Sequence, residues 1–190
     1  MKQIIVICML VLFGGCSSTQ PPLKIYTLKA ESVPHSPSKQ YHTKILKVAY
    51  TGSIKERFSD MMHFSYSSAE QGEYQNSQWS NDVGMLLQGV LVEALSSSGL
   101  FKTVLSYNSS VAEDYRLEST LFAFSHSIRG TYSYAVVSIQ FNLIDIQSGR
   151  LLKSRRFSYR EDTETTDAKG YVEATNRIMT KLSRDLLQWI

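Results

Sequence analysis

Between residues 137 and 143 the chain alternates strictly, with Val137, Ile139, Phe141 and Leu143 on one side and Ser138, Gln140 and Asn142 on the other. A period of two sends successive side chains to opposite faces, so this segment is a strand with one face in an apolar core and one toward water. One-sided burial belongs to antiparallel sheets, because parallel sheets are covered on both faces and read as continuous apolar runs. Turn chemistry follows over residues 145–149, and residues 151–160 return as the next strand of a hairpin. Residues 114–128 precede them as a further strand, with Leu117 and Leu121 on one face and Phe122 and Phe124 on the other.

Elsewhere the period changes. Val83, Leu86, Leu87, Val90, Leu91, Ala94 and Leu95 draw one apolar stripe at helical spacing, with Ser77 or Ser80 as a cap and Gly99 where a left-handed C-terminal residue is wanted. A second amphipathic helix spans about 167–189, carrying Tyr171, Thr175, Ile178, Met179, Leu182, Leu186 and Trp189 on one side. Shorter period-two runs at Leu46 to Tyr50 and Met62 to Tyr66, a brief strand at 25–28 and β-favouring residues at 101–107 complete the pattern. The expected fold is α+β: a mostly antiparallel twisted sheet of about six strands, with the two helices packed on one face.

The N-terminus reads as a leader. Lys2 supplies a positive start, residues 4–13 form an uncharged apolar run, and Leu12-Phe13-Gly14-Gly15-Cys16 closes it. Ten helical residues reach only about 15 Å, half of a bilayer's hydrocarbon core, so the run is a signal and no membrane span. The closing residues resemble a bacterial lipobox, in which the Cys thiol takes a diacylglycerol before cleavage; Phe13 stands where Leu is commoner. Residues 1–15 are then the signal peptide, 16–24 the acylated Cys16 and a polar tether with Pro21-Pro22, and 25–190 a single domain. Two or three acyl chains hold a protein permanently, at about 0.8 kcal/mol per buried methylene. Cys8 leaves with the leader, so no disulfide is expected. A non-lipidated leader cut nearby is the alternative.

Losing fifteen residues of 190 leaves 175, room for one domain with a core. The formal net charge of +3 is weak and dispersed, which argues against a nucleic-acid partner. Enzyme chemistry lacks its parts. His35, His42, His63 and His126 show no metal-ligand spacing and are expected in solvent, and no nucleophile elbow, P-loop or dinucleotide fingerprint occurs, so neither metal nor cofactor is expected. Glu161, Asp162 and Glu164 precede a helix and are expected to favour its dipole. Trp79, just before the first helix, is expected to pack beneath it. The better contact candidates are Arg129, Tyr132 and Tyr134 at a hairpin tip, where aromatic rings have no core to enter, together with Arg155, Arg156 and Arg160 on the next strand.

The order of these features resembles the ABC-type transport auxiliary lipoprotein family, also called the paraquat-inducible protein C type. The resemblance runs through Tyr26-Thr27-Leu28, Tyr50, Tyr66, Trp79, Leu95 with Ser98-Gly99-Leu100-Phe101, Asp114, Leu117, Phe122, Asp145 with Ser148-Gly149, Phe157 and residues 174–189. It implies a non-catalytic, periplasm-facing lipoprotein that works with an ABC transporter permease and ATPase and a mammalian-cell-entry (MCE) domain protein, moving lipids or other hydrophobic compounds between membranes. Ser17, where enterobacterial lipoproteins kept in the inner membrane carry Asp, points by the same kind of resemblance to the outer membrane. Self-association stays open, as do two alternatives: an outer-membrane assembly lipoprotein serving lipopolysaccharide or a secretin, and a lipoprotein enzyme with an unrecognised site.

Overall fold

A computed structural model describes residues 21–32, 41–54, 59–67 and 69–190. Cys8, Cys16, the leader and His35 lie outside the described residues.

The expected hairpin forms the spine of the sheet. Strands β7 (Tyr115–Arg129), β8 (Tyr132–Asp145) and β9 (Arg150–Asp162) pair antiparallel in sequence order, and β9 borders the sheet with one neighbour. Val137, Ile139, Phe141 and Leu143 are all buried, as their alternation requires. Along the other edge of β7 run three short strands in file: β2 (Ile45–Val48), β3 (Gly52–Ser53) and β4 (Met61–Ser65), each parallel to it. Outside these lie β6 (Thr103–Leu105), parallel to β2, and β5 (Gln71–Trp79), antiparallel to β4. The outermost strand is β1 (Lys24–Tyr26), parallel to β5.

Among the described residues the sheet therefore has nine strands and mixed pairing, where about six and mostly antiparallel were expected. Two causes are physical. Strand β5, with the polar sequence Gln71-Gly72-Glu73-Tyr74-Gln75-Asn76-Ser77-Gln78-Trp79, has little local strand signal and is held by neighbours on both sides. The parallel pairs join segments far apart in sequence, which no local period reports.

Helix α1 (Val83–Ser97) and helix α2 (Ala168–Trp189) touch each other and so cover the same face, over one apolar core. The cap of α1 is Asp82, whose carboxylate accepts from the Met85 amide at 2.9 Å and from the Tyr50 hydroxyl at 2.8 Å, instead of Ser77 or Ser80. Gly99 adopts φ 68° just past the C-cap, the left-handed conformation expected there. Asp167 caps α2 by accepting from the Gly170 amide at 3.0 Å. No helix among the described residues is long and apolar enough to cross a membrane.

A register shift between Leu121 and Ala123 changes which face β7 offers to the core. The extra residue is Phe122, and beyond it the alternation is inverted. Phe124 thus joins Leu121 in the core instead of opposing it, packing against Trp79 and Tyr171.

Candidate functional site

With both helices on one face, the opposite face of β7 to β9 carries no helix among the described residues, and on it the side chains form their own layer. Ser138 and Ser158 stand directly opposite in β8 and β9, and their hydroxyls meet at 2.8 Å. Arg156 donates from Nε to Ser138 at 2.9 Å and lays its guanidinium 3.8 Å from the ring centre of Phe122, the residue pushed out by the bulge. Arg160 stacks on Tyr134 at 3.6 Å. Farther along, Ser154 donates to Asn142 at 2.7 Å. A cation over an aromatic face is held in place while keeping its outer edge open to a further acceptor, at a cost of order 1 kcal/mol to remove.

Of the contact residues expected from the sequence, Tyr134, Arg156 and Arg160 share this face. Arg155 does not: it lies over the ring of Phe157 at 4.8 Å, and Phe157 packs edge-on against Trp189 of α2, on the helix side. Arg129 is turned inward on the backbone. Its Nη1 donates to the carbonyls of Ser65 at 3.1 Å, Tyr66 at 2.5 Å and Ile128 at 2.8 Å, which ties the end of β4 to the tip of β7. Tyr132 stands beyond the two-residue turn of Gly130 and Thr131, where Gly130 has φ 63°, and it is 57 % exposed. The alternation of β9 could have separated Arg155 from Arg156; the reach of Arg129 onto β4 has no local signal, because the β4 and β7 pairing is long-range.

The remaining candidates resolve into structure. Trp79 is 1 % exposed in the core, as expected, but its ring meets Phe124 and Tyr171 of α2. Glu161 does not serve a helix dipole. Burial acts to raise its pKa, but hydrogen bonds from Lys181 and Arg177 of α2 outweigh this and hold the carboxyl below its usual range. Glu161 thereby fastens β9 to the middle of α2, and the cap is left to Asp167. Arg177 also reaches Glu164 at 3.9 Å.

His126 overturns the expectation of a solvated ring. It is fully buried, stacked on Tyr171 with centroids 5.1 Å apart, and its Nδ1 is 2.6 Å from the Tyr74 hydroxyl. Burial pushes its pKa down to about 4, against a smaller upward pull from Asp167, so the ring is neutral near pH 7. The neutral ring and the Tyr74 hydroxyl share this hydrogen bond, and Nε2 finds no hydrogen-bond partner among the described residues. His63 sits beside Glu73 at 3.7 Å. No group of three metal-ligating side chains occurs among the described residues.

One groove of about 630 Å³ runs between α2 and the segment at 29–31. The Lys29 amide donates to Asn176 and the Glu31 amide to Thr180, both at 2.9 Å, so this segment is strapped along the helix. The groove's Arg177 and Lys181 are already engaged with Glu161. The geometry offers recognition surfaces, with cations positioned on one open face.

Comparison with known proteins fits this picture. The family model of the ABC-type transport auxiliary lipoprotein component matches residues 59–186. Among solved structures, a Xanthomonas campestris protein assigned to a domain family of unknown function superposes with a TM-score of 0.76 at 20% identity, covering 87% of this chain and 94% of that one. An uncharacterised protein gives 0.70 at 17% identity, covering 88% and 98%. A single-substitution variant of the PelC dodecamer from Paraburkholderia phytofirmans gives 0.50 at 14% identity, covering 82% and 95%. At these identities the likeness is one of fold. No match was found among curated protein sequences.

Proposed function

Because the chain belongs to the ABC-type transport auxiliary lipoprotein family, we propose that it is the non-catalytic, outer-membrane component of a transporter that moves lipids or other hydrophobic compounds across the envelope. Membership makes it a membrane-anchored lipoprotein; the proposal adds Cys16 as the acylated residue, the outer membrane as its place, and an MCE-domain protein with the permease and ATPase as its partners. The observation that carries the reading is the family match over the folded domain, behind a lipobox-like leader.

The domain would act by position. Acyl chains hold one end at a membrane, and the uncovered face of β7 to β9 presents Arg156 on Phe122 and Arg160 on Tyr134 to a protein reaching across the periplasm. Stacked guanidinium groups recognise carboxylates or backbone carbonyls with little loss of side-chain freedom. Arg155, on the other side of the same strand, can contribute at its edge.

A photo-crosslinking amino acid in place of Arg156, activated in intact cells, tests the reading. Capture of an MCE-domain protein or the permease is the expected outcome. If positions 156 and 160 capture no transporter component while the protein is present at its normal level, the proposed role is wrong.

A further inference from the structure

The path by which the chain enters the fold fixes its orientation. Residues 24–26 run parallel to β5, and the segment then continues in the same direction along α2, meeting Asn176 before Thr180. Helix α2 begins just after β9 ends beside Tyr134, so it too runs away from the β7–β8 turn. Whatever precedes Lys24 therefore arrives from the end of the sheet that carries this turn and the β4–β5 hairpin.

Lengths agree with the direction. Lys24 pairs with Ser77, Gln78 with Met61, and Phe64 with His126, which sets Lys24 level with about Phe124 of β7. From there the turn after Arg129 is five positions away, roughly 17 Å, while the start of β7 at Tyr115 is nine positions away in the opposite direction, roughly 30 Å. Eight residue steps separate Cys16 from Lys24, a reach of at most about 28 Å. Fully extended, the tether passes the first end by about 10 Å, whereas toward the other end it would have to double back and spend roughly its whole length, so the first end is the one it holds against a bilayer.

That first end is built as a platform. Tyr66 after β4 is 50 % exposed and Tyr132 after the turn is 57 % exposed. Arg129 bonds the carbonyls of Ser65 and Tyr66 from the β7 side, so the two tips are joined. Leu23 and Ile25, on the approach, are 52 % and 61 % exposed. Tyrosine, with an apolar ring and a polar hydroxyl, is enriched at the boundary between hydrocarbon and water.

We infer that the end of the sheet bearing Tyr66 and Tyr132 rests on the bilayer that holds the acyl anchor, with both rings in the headgroup layer. The inference rests on acylation of Cys16. Its test uses the mature, acylated protein, beginning at Cys16, in vesicles of phosphatidylethanolamine and phosphatidylglycerol doped with a nickel-chelating lipid. Nitroxide labels are placed at Thr131→Cys, on the tip, or at Gln147→Cys, in the β8–β9 turn at the far end; the thioether of an acylated Cys16 takes no label. Relaxation of the Thr131→Cys label by headgroup nickel is expected to exceed that at Gln147→Cys several-fold, and Tyr66→Ser with Tyr132→Ser to shrink the difference while flotation persists. Protein that floats with equal or reversed relaxation overturns the orientation alone, and an unchanged difference in the double variant overturns the role of the rings. Protein that fails to float overturns acylation at Cys16, and the inference with it.

Discussion

The two faces of the β7 to β9 sheet share a backbone and differ in how they are held. On the helix side, Ile139, Phe141 and Leu143 are 0 % exposed and are stabilised by removal from water. On the open side the same strand offers Ser138, Gln140 and Asn142, held by short polar contacts and two guanidinium stacks. The first face is rigid because a missing atom leaves a void, whereas the second can lose a contact and rehydrate. Stability therefore resides in one layer, and the other, which we propose as the recognition surface, can be changed without disturbing it.

The largest break in that division comes from Phe141→Ala, which opens a cavity against Phe157 and is expected to cost about 4 kcal/mol, lowering the melting temperature by roughly 10 °C. Calorimetry measures it, and a drop under about 1 kcal/mol would mean the helix side is not the stabilising layer. Next comes acid. His126 has a folded pKa near 4, below the unfolded value of about 6.5, so between these limits the unfolded chain binds a proton the native one refuses. Stability is full above about pH 6.5 and falls by roughly 3 kcal/mol as the pH drops toward 4. Urea midpoints across that range check the slope, and His126→Phe should flatten it.

A smaller effect is expected at the joined tips. Arg129→Ala removes charge-assisted hydrogen bonds to carbonyls of β4, a loss of about 2 kcal/mol, and hydrogen exchange should speed up around residues 65–70 while β8 stays protected. Smallest of all is Arg156→Ala on the open face, worth about 1 kcal/mol or less in unfolding. Its expected effect is on partner capture; a large stability loss there would erase the contrast between the faces.

The legible parts of the fold are those whose signal is local. The alternation through β8 and the apolar stripes of both helices can be read because each residue's environment follows from its position in a short period. Strand β5 escapes such reading because its half-exposed, polar residues are set in place by β1 and β4. Phe124 and His126 were displaced together by one event, the bulge at Phe122, since a single inserted residue exchanges the faces of everything after it. The open face was half legible: Arg156 and Tyr134 stand where alternation puts them, while the partner of Arg156 depends on that same bulge.

The way the first strand joins the sheet has a mechanical consequence. A load applied upstream of Lys24 pulls along the axis of β1, which lies parallel to β5 and continues into the bonds of Lys29 and Glu31 with α2. Those bonds are strained in shear and must yield together, instead of unzipping one by one as they would under a pull across the strands. A pull from upstream of Lys24 thus reaches the domain at the point where tugging does it least harm.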